Sequence, residues 1–144
     1  MARRPVGAGG GLVLDSEGLV KLAAGQPKVR AFLEIARERG ARVAVSSVTL
    51  AEVLRGGPRD AAVHRVLSRI SVQSVTPELG RRAGELLGAA GLSGHRCAID
   101  AMVAATALEL ARPVVLLTSD PDDMSKLVDE PDRPKDQRIA VVHV

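Results

Sequence analysis

Apolar and polar positions run along this chain in two different rhythms. Leu12 to Leu14 is a short continuous apolar run, the mark of a strand buried on both faces. Pro27 opens a segment in which Val29, Phe32, Leu33 and Ala36 keep the i, i+3, i+4, i+7 spacing of a helix, and Gly40 is placed to end it. Arg42 to Ser46 reads as a second strand. Ser47 or Thr49 can cap a helix that turns Leu50, Val53 and Leu54 inward and stops at Gly56-Gly57-Pro58. Val63, Val66, Leu67 and Ile70 mark another helix, which passes into the strand-like Ser71 to Val75.

Pro77 suits the first position of a helix after Thr76, with Leu79, Ala83, Leu86, Leu87 and Ala90 on one face, before a turn at Gly91 to Gly94. Ile99, Met102, Val103, Thr106 and Leu110 mark the most apolar helix, which must end before Pro113. Val114 to Thr118 is the second continuous apolar strand, followed by a short helix around Pro121 to Val128. The polar stretch Asp129 to Arg138 is a loop, and Ile139 to Val142 closes the chain as a last strand. Strands separated by helices need crossover connections, so the pattern predicts an α/β fold: a mostly parallel central sheet with helices on both sides, a three-layer α/β/α sandwich. No repeat or linker divides the chain, and a flexible N-terminal arm at 1–10 followed by one domain at 11–144 is expected.

Composition adjusts this picture. Aromatic residues make up 1 % of the chain, with Phe32 alone, so the core is aliphatic and base stacking on rings cannot be a main recognition device. No apolar stretch approaches a membrane span, and the basic start lacks a long apolar region behind it, so neither membrane insertion nor export is expected. Cys97 is the only cysteine, which excludes an internal disulfide and suits a reducing cytoplasm. Lys and Arg number 20 against 17 Asp and Glu, for a net charge of +3. That excess fits a surface that holds a phosphate backbone, and equally a genome rich in Ala, Gly and Arg.

The chemistry lies in four carboxylates. Asp15 ends the first apolar run and Asp120 closes the second, so both lie at strand mouths, where ligands bind in parallel α/β sheets. Glu52 is off the Leu50/Val53/Leu54 stripe, and Asp100 is off the stripe of its helix, near the N-terminal turn where the helix dipole favours an acid. Each alone reads as a helix cap or a solvated face. Together, acids at the mouths of buried strands are costly to hold unless a cation joins them, and hard divalent cations with oxygen ligands are the usual solution.

Leu12-Val-Leu-Asp15-Ser16, Thr49-Leu-Ala-Glu52-Val53, Asp100-Ala-Met-Val-Ala-Ala-Thr106-Ala107 and Leu117-Thr118-Ser-Asp120 resemble, in order and rough spacing, the motifs of PIN-domain nucleases. The small size resembles the VapC toxins of bacterial toxin–antitoxin pairs. The resemblance implies a Mg²⁺- or Mn²⁺-dependent endoribonuclease in which Asp15, Glu52, Asp100 and Asp120 are the catalytic and metal-binding acids. Asp15 and Asp100 are the first choices for direct ligands, Glu52 and Asp120 act through water, and Ser16 and Thr118 give polar support. It further implies an RNA substrate, a small antitoxin that covers the acidic cleft, and dimerisation through helices. The chain departs from the pattern at Glu17, an extra acid that is either a further ligand or a source of repulsion toward RNA. Asp122 and Asp123 add two more acids, leaving open which of three faces the site.

Other constellations are weaker. Gly7-Ala-Gly-Gly-Gly11 precedes a strand instead of following one, so it is no phosphate-cradling loop. His64, His95 and His143 are read as surface residues away from strand ends, and Cys97 as core packing. Arg55, Arg59, Arg81, Arg82 and Arg96 are candidates for phosphate contacts or solvated helix faces. Two other function classes stand beside the nuclease: an inactive RNA-binding or regulatory domain, for which Glu17 leaves room, and a phosphatase, of whose motif Asp15-Ser16-Glu17 is a loose echo.

Overall fold

Every strand pairing is parallel. The computed structural model describes residues 7–144, and within them β1 (Gly11–Leu14), β2 (Arg42–Ser46), β3 (Ser71–Gln73), β4 (Val114–Thr118) and β5 (Ala140–His143) form one sheet in the order β3-β2-β1-β4-β5. The strand order reverses beside β1, which lies between β2 and β4. The helices are α1 (Ser16–Ala23), α2 (Pro27–Glu38), α3 (Ser47–Val53), α4 (Ala61–Leu67), α5 (Pro77–Ala90), α6 (Gly94–Glu109) and α7 (Pro121–Leu127). Short 3₁₀ turns occupy Pro58–Asp60 and Lys135–Gln137, the second of them inside the expected loop.

Side chains alternate across the sheet and divide the core in two. Val13, Val114 and Leu116 pack with Leu79, Leu86, Ala104, Met124 and Leu127 from α5, α6 and α7. Leu12, Leu14, Val43, Val45 and Leu117 pack with Leu19, Leu22, Val29 and Val63 from α1, α2 and α4. This is the three-layer α/β/α sandwich expected from the pattern. The buried face of α6 is mostly alanine, with Cys97, Val103 and Thr106, and these small side chains let the helix lie close against β1 and β2. The short helix α3 touches both α1 and α6, so it bridges the two layers at the carboxyl edge of the sheet.

Several elements differ from expectation. α1 was not expected. It is two turns long with Glu17 and Gly18 inside it, too short a stretch for a decisive apolar period. α3 is capped by Ser46, not by Ser47 or Thr49, and ends at Val53, ahead of the glycines. The strand β3 stops at Gln73 because Thr76 already caps α5. Of the expected N-terminal arm, residues 1–6 lie outside the described residues. Gly7 to Gly10 form a turn in which the Gly7 and Gly9 N–H groups donate to the Gly40 carbonyl. Gly10 is buried with a φ of 95°, and a Cβ there would sit 1.9 Å from the Pro113 carbonyl oxygen. No described helix is long and apolar enough to cross a membrane.

Candidate active site

Parallel register brings the strand-end acids to one place. Leu14 lies opposite Leu117, and the Asp15 N–H donates to the Leu117 carbonyl at 3.1 Å, so Asp15 ends β1 beside the end of β4. Continuing the β1–β2 register sets Asp15 level with Ser46, where α3 begins and carries Glu52 in its second turn.

Asp15 is buried, and both its oxygens are engaged. Oδ1 accepts from the Gly18 N–H at 2.8 Å, capping α1, and Oδ2 accepts from the Ser119 N–H at 3.0 Å. Two backbone donors and the positive end of a helix hold this carboxylate in place. Thr118 is fully buried, and its Oγ1 accepts from the Asp120 N–H at 2.9 Å, fixing the turn after β4. Asp120 caps α7 by accepting from the Asp123 N–H at 3.4 Å.

Asp100 stands at the centre. It lies in the second turn of α6, which starts at Gly94, so it is deeper than the helix end expected for it and gains no N-terminal capping. Burial, then repulsion from Asp120, Asp15, Glu52 and Asp123, pushes its pKa up to about 6. The four acids named from the sequence therefore share one electrostatic field, joined by Asp123. No described Lys or Arg pairs with any of the five. Glu52 is exposed, whereas Asp100, Asp120 and Asp123 are half-buried. Among the described residues no three acid, His or Cys side chains converge tightly enough to ligate one ion together. The cluster is held at the range of repulsion, not of shared coordination. Its donor chemistry fits a hard divalent cation: oxygens only, negative charge in excess, and no described cationic side chain paired with them.

The accessory residues divide. Ser16 begins α1 and is half-buried. Glu17 turns along α1 to Lys21, with an N–O distance of 3.7 Å, and is not among the groups acting on Asp100. Asp122 is exposed; Asp123 faces inward and accepts from the Cys97 thiol at 3.9 Å. Burial, then Asp123, raises the Cys97 pKa, so Cys97 stays a thiol and is a poor nucleophile. His64 and His95 are exposed; His143 is exposed too but does end β5, at the sheet's carboxyl edge, contrary to expectation.

Some of the framework was invisible in the sequence. Asp60 is buried, and its Oδ2 accepts from the Arg55 and Gly56 N–H groups at 2.9 and 2.7 Å. The Arg55 guanidinium donates to the Ala51, Glu52 and Leu54 carbonyls, so it closes the end of α3. Thr49, one turn before Glu52, is fully buried with a hydroxyl that has no partner among the described residues. The Asp15-x-x-Gly18 spacing was the one readable signal, as an acid three residues ahead of a free helix N–H.

A PIN-domain family model matches residues 12–129. The chain belongs to the PIN-domain family. All four acids lie inside the matched region. This PIN domain is similar in fold to a chain of VapBC2 from Rickettsia felis, solved bound to a DNA fragment from the promoter of that pair. The TM-score is 0.64 at 16 % identity, covering 93 % of this chain and 98 % of that one. It is similar also to a chain of a toxin–antitoxin complex from Klebsiella pneumoniae, with a TM-score of 0.60 at 22 % identity, covering 79 % and 90 %. No curated protein matches the chain closely in sequence.

Proposed function

We propose that this PIN domain is a Mg²⁺- or Mn²⁺-dependent endoribonuclease and the toxin of a toxin–antitoxin pair, working in the cytoplasm on RNA phosphodiester bonds. The observation that carries the reading is the Asp100 cluster: burial, then repulsion from four further acids, raises its pKa to about 6, with no described cation paired to any of them. Asp15, Glu52, Asp100 and Asp120 would hold the ion, whose bound charge would make a water more acidic and offset negative charge on the leaving oxygen. The protein's own part is positioning. The Gly18 and Ser119 N–H groups keep Asp15 oriented, and Thr118 sets the turn that presents Asp120. Glu52, exposed on the short bridge α3, is the acid most able to adjust its reach.

The toxin assignment is supported by the fold shared with chains of two toxin–antitoxin complexes. A small antitoxin that covers the acidic cleft and a homodimer are the partners this reading adds. Purified protein incubated with RNA should cleave it with Mg²⁺ or Mn²⁺ and stop on chelation, and Asp100→Asn should lower the rate by about a hundredfold or more. Cleavage that persists in chelator, or at full rate in that variant, would sink the reading.

A further inference from the structure

A second feature of opposite charge lies on the α1/α2/α4 side of the molecule. A cavity of about 350 Å³ opens there, and Arg30 and Arg37 from α2 face Arg65 from α4 and Arg69 just after it. No acid lines it. All four arginines are exposed, and none forms an ion pair or a side-chain hydrogen bond with another described residue. Four like charges around one hollow repel each other, so the arrangement is relieved by an anion. The groove also meets the catalytic region through a single rigid element. Asp15 caps the start of α1, and Leu22 and Ala23 at its end line the groove, about 12 Å farther along the helix axis.

We propose that this groove is a secondary RNA-binding site, where the arginines hold backbone phosphates of the strand being cut, beyond the scissile bond. This rests on the ribonuclease reading above. The acid cluster repels a phosphate backbone, so affinity for RNA has to come from cations elsewhere. The arginines singled out from the sequence are partly committed: Arg55 closes α3 and Arg82 pairs with Glu85 at 3.5 Å. Arg30, Arg37, Arg65 and Arg69 are free to serve, and guanidinium forks match phosphate geometry. With no aromatic platform in the lining, binding there is electrostatic and insensitive to base identity.

The test is fluorescence anisotropy of a labelled single-stranded RNA in chelator, so that binding is read without turnover. Changing all four arginines to Gln should weaken binding about tenfold or more and flatten the log K against log salt slope by roughly 0.7 per lost contact. Changing all four to Lys should restore most of the affinity, and Asp100→Asn should not weaken it. A dinucleotide, too short to reach the groove, should be cleaved equally by wild type and Gln variant when metal is added. If the wild type cuts RNA but the Gln variant binds it with unchanged affinity and salt slope, the groove assignment fails alone. If the wild type neither binds nor cuts RNA, the ribonuclease reading fails with it. Loss of affinity for a synthetic Glu/Leu amphipathic peptide, with RNA affinity unchanged, would give the groove to an acidic protein segment instead.

Discussion

Asp15 and Asp100 are two carboxylates in one cluster with opposite relations to the fold. Asp15 accepts from two backbone N–H groups, so it stabilises the chain while it stands in the acid cluster. Asp15→Asn turns an amide donor toward one of those donors and should destabilise the protein by about 1–3 kcal/mol as well as abolish cleavage. Asp100 is held where its charge is unwelcome. Below its ordinary pKa of 3.8 it is protonated whether folded or unfolded and imposes no cost. As pH rises from 3.8 to about 6 the unfolded chain gives up the proton while the folded chain keeps it, so stability falls across that window and is level above it. Asp100→Asn should therefore raise the neutral-pH stability of the chelator-treated protein, by about 1 kcal/mol after solvent screening, while lowering activity. Thermal melts across pH 3 to 8 check this, roughly the window in which a carboxyl shifted this way changes charge. A gain that persists at the acid end would exclude ionisation as its cause.

Elements meet through a few anchored joints. The turn at Gly7 to Gly10 brings the chain into β1, and Gly10 combines a left-handed φ of 95° with contact to the Pro113 backbone. Gly10→Ala should cost about 2 kcal/mol or more, since neither the conformation nor the carbonyl can yield cheaply. Denaturant titration measures it, and a loss within error of zero would show the turn to be dispensable. A second joint ties the stretch between α7 and β5 to the end of α6. Arg112 donates to Glu130 at 2.6 Å and to the Gln137 carbonyl at 2.8 Å, and that hydrogen bond is the main cause holding the Glu130 pKa below the ordinary range. Stability from the pair is present above the ordinary Glu pKa and is lost as pH falls through the lowered one. Arg112→Ala should cost about 2–3 kcal/mol and speed amide exchange across 129–138, with little effect on β4. Uniform exchange across the domain would contradict a local latch.

For the molecule as a whole, an acid cluster repelling itself at a sheet edge makes the fold responsive to cations. A divalent ion that binds the folded chain alone should stabilise it by about 2.7 kcal/mol at a hundred times its dissociation constant. Calorimetry with Mn²⁺ should show a melting temperature several degrees higher, a response blunted in Asp100→Asn. A wild-type transition indifferent to millimolar Mn²⁺ would falsify the metal-binding role of the cluster independently of any cleavage assay. The charge layout has the same scale: a negative cleft and a four-arginine groove lie at opposite ends of α1.

The sequence by itself determined the alternation of strands and helices, and hence a parallel α/β sandwich. Long apolar periods and local stop signals carry that information over a few residues: β2 and β4 fall at the bounds read from their apolar runs, and Thr76-Pro77 starts α5 where its capping chemistry says. Glu52 and Asp100 lie inside helices, whereas Asp15 and Asp120 were legible as strand-end acids, because strand ends in such sheets are where ligands gather. α1 was not, being two turns whose stability comes from Asp15 and from packing of Leu19 and Leu22. Only the tertiary structure decided the strand order, the Leu14–Leu117 register that joins Asp15 to β4, and the depth at which Asp100 is held. It alone turned Glu17 toward Lys21 and Asp123 toward Cys97, and set arginines from two distant helices around one hollow. Local periodicity specifies which face of an element is apolar; which faces meet is settled by packing among residues far apart in the chain, and charge then follows geometry.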